Sequence, residues 1–463
     1  MSEPVRAVLV GAGQRGGDVY GAYALQNSQK IRFIAVAEPI SERRDRFAAQ
    51  HSIPPENRFT TWETLLEKPK LGQAALICTQ DQLHTAPTIA ALRAGYDVLL
   101  EKPMATTEEE CRQLVAIAQE HGRQLHVCHV LRYTPHFQKL QQIVQSGVLG
   151  DLVTVAHREN VSWWHMAHSY VRGNWASVSQ SCPMILAKCC HDFDILLWVL
   201  GKQCERLSSE GSRIHFRREN APPGAPEYCL DGCPVEDSCA YYAPFIYIDL
   251  LPLWRGVRDS SKGMVRLATK AQTRSPALVK TFSKVIPTLR QISGYDGWPN
   301  SVVAVPPTKE NLMVALRRGP YGRCVYHCAN DVVDHQVVLM RFEGGLSVTL
   351  TMQGHSHWEC RETRIQGSRA ELRAFLGHGG SWIDVHEHRS DLSSHYDTSA
   401  PVGDGHGGGD FALMDAFVDS LSGERAVGLT AAHESLESHL MAFAAEQARL
   451  EGGVVTMSAF RQG

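Results

Sequence analysis

No apolar stretch in this 463-residue chain approaches the roughly 20 residues that a membrane-spanning helix needs; the strongest, Ile195 to Leu200, is a fraction of that. A spanning helix is thereby excluded. Charge of one sign is lacking too. Forty-six Lys and Arg face 49 Asp and Glu, a net charge of -3, so no global field draws nucleic acid or an anionic membrane. The expected partners are small molecules and, through a homo-oligomer, a second copy of the chain. The N-terminus places Glu3, Pro4 and Arg6 ahead of a short strand-like run and lacks the basic, apolar and small-residue order of a secretory signal. A cytoplasmic location is the expectation. Thirteen cysteines, an odd number without an export signal, point to reduced thiols, a few of them available as metal ligands.

What is present is ordinary globular composition, 43% hydrophobic and 21% charged, in a chain long enough for up to three domains at roughly 150 residues each. The first quarter alternates short apolar runs with amphipathic ones. Val5 to Val10, Ile31 to Ala37, Ala74 to Cys78, Val98 to Leu100 and Gln124 to Cys128 read as parallel strands, with helices over Ser41 to Gln50, Pro87 to Ala94 and Thr107 to His121 between them. This predicts a doubly wound sheet over residues 1–130. Beyond it, Leu152 to Arg158, Arg206 to Phe216, Gln336 to Phe342, Leu346 to Met352 and Glu362 to Gln366 alternate as strands of a mostly antiparallel sheet. The fold class is α/β plus α+β: a Rossmann domain, then over residues 131–463 an open antiparallel sheet with helices on one face. Residues 217–330, rich in Pro, Cys and aromatics and then basic, lack a regular period and read as an insertion.

Gly11, Gly13 and Gly16 spell GAGQRG directly after a strand and before a helix, the context the dinucleotide fingerprint requires. The first glycine permits the tight turn, the second lets backbone approach the pyrophosphate, and the third lets helix and strand pack. Gln14 and Arg15 lie in the same turn. At the end of the second strand, 22 residues after Gly16, Glu38 is placed to accept hydrogen bonds from a ribose diol and to repel a 2'-phosphate. NAD is therefore the expected cofactor. Arg43 and Arg44 follow and would soften that preference.

Thr79 to His84, then Ala94, Gly95 and Val98, then Glu101, Lys102 and Pro103 resemble the Gfo/Idh/MocA oxidoreductases, and so do Arg132, Tyr133 and Pro135, Gly147 to Gly150, His191 to Gly201 and Gly367 to Glu371. The resemblance implies a sugar or cyclitol substrate bound between the two domains at the nicotinamide. It also implies that Thr79, Gln80, His84 and Glu101 line that end of the cofactor. A Glu-Lys-Pro tripeptide also occurs at Glu67 to Pro69, but only the copy at Glu101 ends a strand. There Lys102 projects at the carboxyl edge of the sheet, where its ammonium can hydrogen-bond a substrate hydroxyl or relay a proton. Such dehydrogenases carry an Asp four residues before a histidine. Here His191 is present and Ala187 stands at the Asp position, which leaves His191, Lys102 and Lys188 as proton handlers.

The missing acid keeps two further classes open beside a dehydrogenase. One is an NAD-dependent glycosidase that oxidises the sugar transiently, eliminates the aglycone and reduces the product. The other is a nucleotide-binding sensor without chemistry. Trp163, Trp164, His165, Arg172 and Trp175 follow the first strand of the second sheet without a clean period, read as a loop, and with Tyr133 are candidates for the substrate wall. Cys229, Cys233, Cys239 and Cys328 are candidates for a structural zinc site that clips the insertion together. Lys262, Arg266, Lys270, Arg274, Lys280 and Lys284 read as a solvated basic face.

Overall fold

Short runs that are apolar on both faces make buried parallel strands, and the first 127 residues supply six of them in the computed structural model. The structure describes residues 3–260, 263–275, 279, 294, 295, 297–377, 380–400, 405–421 and 430–462. Strands β1 (Val5–Val10), β2 (Ile31–Ala37), β3 (Arg58–Phe59), β4 (Ala74–Ile77), β5 (Asp97–Leu100) and β6 (Leu125–Val127) lie in the order β3-β2-β1-β4-β5-β6. All pairs are parallel. The order reverses between β1 and β4, the crevice in which such sheets bind ligands. Helix Glu108–Glu120 shows why the covering helices form. The Thr107 side chain accepts from the Glu110 amide, and three glutamates occupy the first turn, where the helix dipole favours them.

The second sheet has nine strands: β7 (Leu152–Ser162), β8 (Cys204–Ser212), β9 (His335–Phe342), β10 (Ser347–Ser356), β11 (Cys360–Gly367), β12 (Ala370–Gly377), β13 (Gly380–Glu387), β14 (Ser393–Asp397) and β15 (Val454–Thr456). Their order is β14-β13-β12-β11-β7-β10-β9-β8-β15, and the β7–β10 pair is parallel while the others are antiparallel. Period-two burial gives it one wet face. Along β9, Gln336, Val338, Met340 and Phe342 are buried while Val337, Leu339 and Arg341 are exposed. Helix Met184–Leu200 packs on the dry face, almost wholly buried, and stops at Gly201 in the left-handed conformation.

Two features depart from the sequence reading. Helix Gly409–Leu421 returns to the first sheet, where Leu413, Met414, Phe417 and Val418 join the core of Val5, Leu9 and Phe33. The insertion is not structureless: helices Ala243–Tyr247, Leu251–Ser260, Gly263–Arg274 and Lys309–Arg318 occupy much of it, and Ala243, Ile246, Tyr247 and Leu316 form a small core. Arg266, Lys270 and Arg274 lie on one of these helices, whereas Lys262, Lys280 and Lys284 lie outside the described residues.

Arg132, just past β6, reaches helix Met184–Leu200 and grips Asp194 with two hydrogen bonds of 2.7 and 2.6 Å, both side chains almost fully buried. It also bonds Glu434 at 3.2 Å. Truncating one partner of such a pair strands the other charge in a dry interior, at about 3–5 kcal/mol. Asp194→Ala is therefore expected to lower stability by that amount in urea unfolding, whereas Glu205→Ala, which removes the half-exposed partner of Arg341, should cost about 1 kcal/mol or less.

Candidate functional site

The glycine turn closes against β4. Gly11 has a φ of 91°, and a Cβ there would stand 2.5 Å from the Cys78 carbonyl oxygen, so no other residue fits. A Cβ on Gly13 would meet only the tip of Arg43 at 4.0 Å, so that face of the turn is open to a ligand. The chain then enters a wide π-type turn, Gln14–Tyr20, before helix Gly21–Gln26. Glu38 is buried at the end of β2, and its carboxylate accepts from the Ala12 amide at 2.8 Å and the Ile40 amide at 3.0 Å. Each oxygen keeps a free lone pair for a diol. Gly11, Gly13, Gly16 and Glu38 thus come together around the crevice as a dinucleotide requires, and Gln14 is exposed beside them.

Arg15 goes elsewhere than to a pyrophosphate. Its guanidinium pairs with Glu101 at 2.6 Å and Asp410 at 2.8 Å and bonds the Tyr20 hydroxyl at 2.7 Å. Burial alone would raise the Glu101 carboxyl, but Arg15, the Tyr20 hydroxyl and Lys102 hold it below its ordinary value. Glu101 is therefore a fixed anion at the end of β5. Thr79 and Gln80 follow β4 at the same edge, and His84 ties that edge together, its ring nitrogens facing the Pro103 carbonyl at 2.7 Å and the Thr79 carbonyl at 3.2 Å.

Lys102 crosses from the first sheet to helix Met184–Leu200, where its Nζ donates to the Ala187 carbonyl at 2.8 Å. One helical turn further along stands His191, so lysine and histidine are brought together where the acid is missing. Burial, then Lys102, His129, Arg361 and His406, push the His191 imidazolium well below its ordinary range, and the ring is neutral. Its Nδ1 faces Nδ1 of His129 at 3.4 Å. His129 went unremarked in the sequence. The available signal was position, two residues past β6 just as Lys102 is two past β5.

Under this centre lies a buried charge cluster. Lys188 pairs with Glu359 at 2.8 Å and Glu159 at 3.2 Å, and Arg361 pairs with Glu159 at 3.0 Å and Asp192 at 2.7 Å. Burial pushes Glu159 up to about 7 against the pull of Arg361 and Lys188, with Asp192 and Glu359 adding to the rise. Burial would lower Lys188, but Glu359 and Glu159 raise it far above its ordinary value. This corrects the expectation for Lys188: a lysine held so firmly charged is no proton acceptor. The cluster was legible in part, since Val155, His157, Glu159 and Val161 alternate on the buried face of β7.

The aromatic segment is helical rather than a loop, a short turn Trp163–His165 running into a π-type turn Met166–Arg172. His165 bonds Glu359 at 3.1 Å within the second domain, whereas Trp175 donates to Asp81 at 2.7 Å and so reaches the edge of the first sheet. Trp163 and Trp164 pack on the insertion, against Tyr241 and Trp298. Tyr133 is buried in the first domain, its hydroxyl 3.2 Å from that of Thr430. Arg172 is buried as well and donates to the carbonyls of Arg323 at 2.7 Å and Tyr241 at 2.8 Å, so it is no clamp for an anionic substrate. The zinc expectation also needs correction. Cys229, Cys233 and Cys239 line one small pocket with Cys324, not Cys328, whose thiol donates to the Cys324 carbonyl at 3.4 Å. The Cys229 sulfur accepts from Arg172 at 3.6 Å, and among the described residues no group of His, Cys, Asp or Glu is placed to hold a metal ion.

The chain matches the model of an oxidoreductase family with an NAD-binding Rossmann fold, GFO_IDH_MocA, over residues 5–129, and the GFO/IDH/MocA C-terminal domain over residues 137–271. It is 28% identical to the inositol 2-dehydrogenase of Corynebacterium glutamicum over 44% of this chain and 56% of that protein. It is 23% identical to the 2,7-anhydro-N-acetylneuraminate hydratase of Mediterraneibacter gnavus over 46% of this chain and 53% of that one. The chain thus spans about half the length of the curated relatives it matches. An inositol dehydrogenase homologue from Azotobacter vinelandii, solved with NAD+, shares the fold at a TM-score of 0.63 and 16% identity, over 98% of both chains.

If Glu38 holds the ribose, its removal costs a charge-assisted hydrogen bond, about 1.5–3 kcal/mol. Glu38→Ala is expected to weaken NAD binding about 10- to 100-fold by calorimetry and to narrow the discrimination against NADP. An unchanged NAD affinity would remove Glu38 from the cofactor site.

Proposed function

Because the chain belongs to the Gfo/Idh/MocA family of NAD-binding oxidoreductases, we propose that it is an NAD-dependent dehydrogenase of a sugar or cyclitol carbinol. The single observation that carries this reading is the meeting of Lys102 and His191 across the two sheets, at the carboxyl edge beside the glycine turn. Gly11, Gly13, Gly16 and Glu38 would hold NAD, which when bound supplies the acceptor for the carbinol hydride. The chain's own groups handle the proton. Lys102, released from the Ala187 carbonyl, donates a hydrogen bond to the carbinol oxygen and stabilises negative charge developing there. His191, neutral, accepts the hydroxyl proton at Nε2. His165 and Trp175 flank the crevice as polar and apolar walls, and the Lys188–Glu359–Glu159–Arg361 cluster fixes the floor. The exposed sheet face that carries Val337 and Leu339, 41% and 53% exposed, supports self-association.

The absent carboxylate at Ala187 favours a second reading, and the hydratase relative gives it company. In a redox-neutral elimination the substrate is oxidised transiently, the neighbouring C–H is acidified, a base removes that proton, a leaving group departs and the hydride returns.

The experiment supplies NAD and a panel of free sugars, cyclitols and aryl glycosides, and follows NADH absorbance and released aglycone together. NADH in proportion to a free polyol is expected. Aglycone release that needs NAD but leaves no net NADH would move the chain to the second reading, and NAD binding without either signal would leave a sensor. Lys102→Met should lower kcat about 10²- to 10⁴-fold while NAD affinity changes by about threefold or less.

A further inference from the structure

The buried histidines around the centre differ in how their protons are fixed. His439, on helix Ala432–Glu451, donates from Nδ1 to the Ser435 carbonyl at 2.8 Å and accepts at Nε2 from the Met104 amide at 2.8 Å. Its tautomer is settled by backbone. His157 is likewise spanned between the Thr363 hydroxyl and Asp192. Among the described residues His129 and His191 have no such anchors. Their Nδ1 atoms face each other at 3.4 Å with the rings at 74°, and Nε2 of His129 is buried with no hydrogen-bond partner. Two neutral imidazoles that meet through Nδ1 hold one proton between them, since the bond needs one donor and one lone pair.

We infer that His129 shares this proton with His191 and thereby sets whether Nε2 of His191 meets the substrate as a lone pair or as an N–H; the inference rests on the reading of His191 as the group that handles the carbinol proton. When His191 carries the Nδ1 proton, its Nε2 is a base. When His129 carries it, Nε2 of His191 has taken up a proton and can donate, and the proton that His129 held at its own Nε2 has passed to solvent, so both rings stay neutral. Among the described residues no backbone group bonds a ring nitrogen of either histidine to select between these forms, in contrast to His439.

The surroundings keep the pair neutral at rest. Burial is the first cause for both rings; Arg132 and Lys102 then act on His129, opposed by Glu101, while Lys102, His129, Arg361 and His406 act on His191. Among these cations an imidazolium is disfavoured on either ring alone, so sharing the arriving proton across the pair spreads a charge that neither ring holds well. In the oxidative direction the substrate O–H bond breaks and an N–H bond forms at Nε2 of His191. The Nδ1–H bond of His191 breaks and one forms at Nδ1 of His129. One proton has left the carbinol oxygen and one positive charge rests on the far ring, while the hydride goes to NAD. Reduction runs the same transfers backwards. His129 touches neither substrate nor cofactor in this scheme; it is a positioning residue that acts through His191.

The test uses full-length protein labelled with ¹⁵N in histidine and loaded with NAD. The ring-nitrogen shifts of His191 are expected to show both tautomers averaged in the wild type and a single tautomer in His129→Phe. His129→Gln, which retains a polar partner, serves if the phenyl ring does not pack. With a polyol substrate, kcat should fall on the order of 100-fold or more, the scale on which a tautomer-setting partner acts elsewhere, at unchanged KM and unchanged NAD affinity. A single fixed His191 tautomer in the wild type, or shifts identical in wild type and variant, would overturn the inference. Because the spectrum reads the histidine pair without turnover, a failure of the dehydrogenase reading would show separately, as absent NADH formation with the tautomer exchange intact.

Discussion

The site depends on holding the carboxyl edge of the parallel sheet against helix Met184–Leu200, and a buried ion pair does the holding. Arg132 leaves the first domain and closes a two-pronged grip on Asp194 inside the second. Asp194 lies three residues beyond His191 on the same helix, about one turn away, so the grip sets the depth of His191 under the sheet edge. The hydrogen bonds of Trp175 to Asp81 and of the Met104 amide to His439 tie the same junction, so the two domains meet as a packed contact rather than a loose gap.

Buried charge is neutralised locally throughout this junction. Arg15, Glu101 and Asp410 form one group, Arg132 and Asp194 a second, and Lys188, Glu159, Glu359, Arg361 and Asp192 a third. All three draw on residues far apart in sequence. Asp410 comes from the helix that returns to the first sheet, and Glu359 and Arg361 come from the strand β11 side of the second. Such pairs add little net stability over apolar packing, yet they are costly to break. Their use here is to fix orientation at the contact between domains.

The sheet strands and the cofactor turn were legible because their signals are local. GAGQRG sits between a strand and a helix, Glu38 ends the next strand, and Lys102 ends another, so hydrophobic period and motif position were enough. The role of Lys188 was misjudged because its partners, Glu159 and Glu359, belong to other strands and no sequence spacing connects them. The same limit applied to Arg172. As a lone arginine among tryptophans it resembles a substrate clamp, and only the fold shows its Nε and Nη2 turned into the insertion, onto the carbonyls of Arg323 and Tyr241. The fourth cysteine of the zinc expectation, Cys328, was misplaced for a related reason. Spacing brought in a cysteine from the far end of the insertion but could not choose between Cys324 and Cys328, and the fold turns Cys324 to the pocket of Cys229, Cys233 and Cys239.

The alanine at position 187 then takes on a physical sense. A carboxylate at that position would stand one turn from His191 and beside the Lys102 ammonium, which reaches the Ala187 carbonyl. It would favour the imidazolium and pair with the lysine. With alanine there, the nearby carboxylates are already engaged: Asp192 by His157 and Arg361, Asp194 by Arg132, Glu101 by Arg15. His191 is left among cations and stays neutral, and Lys102 is left with a neutral carbonyl that a substrate oxygen can replace at small electrostatic cost. The substitution that removes a base from the familiar arrangement therefore keeps the remaining histidine in the one protonation state that can accept a proton from a carbinol.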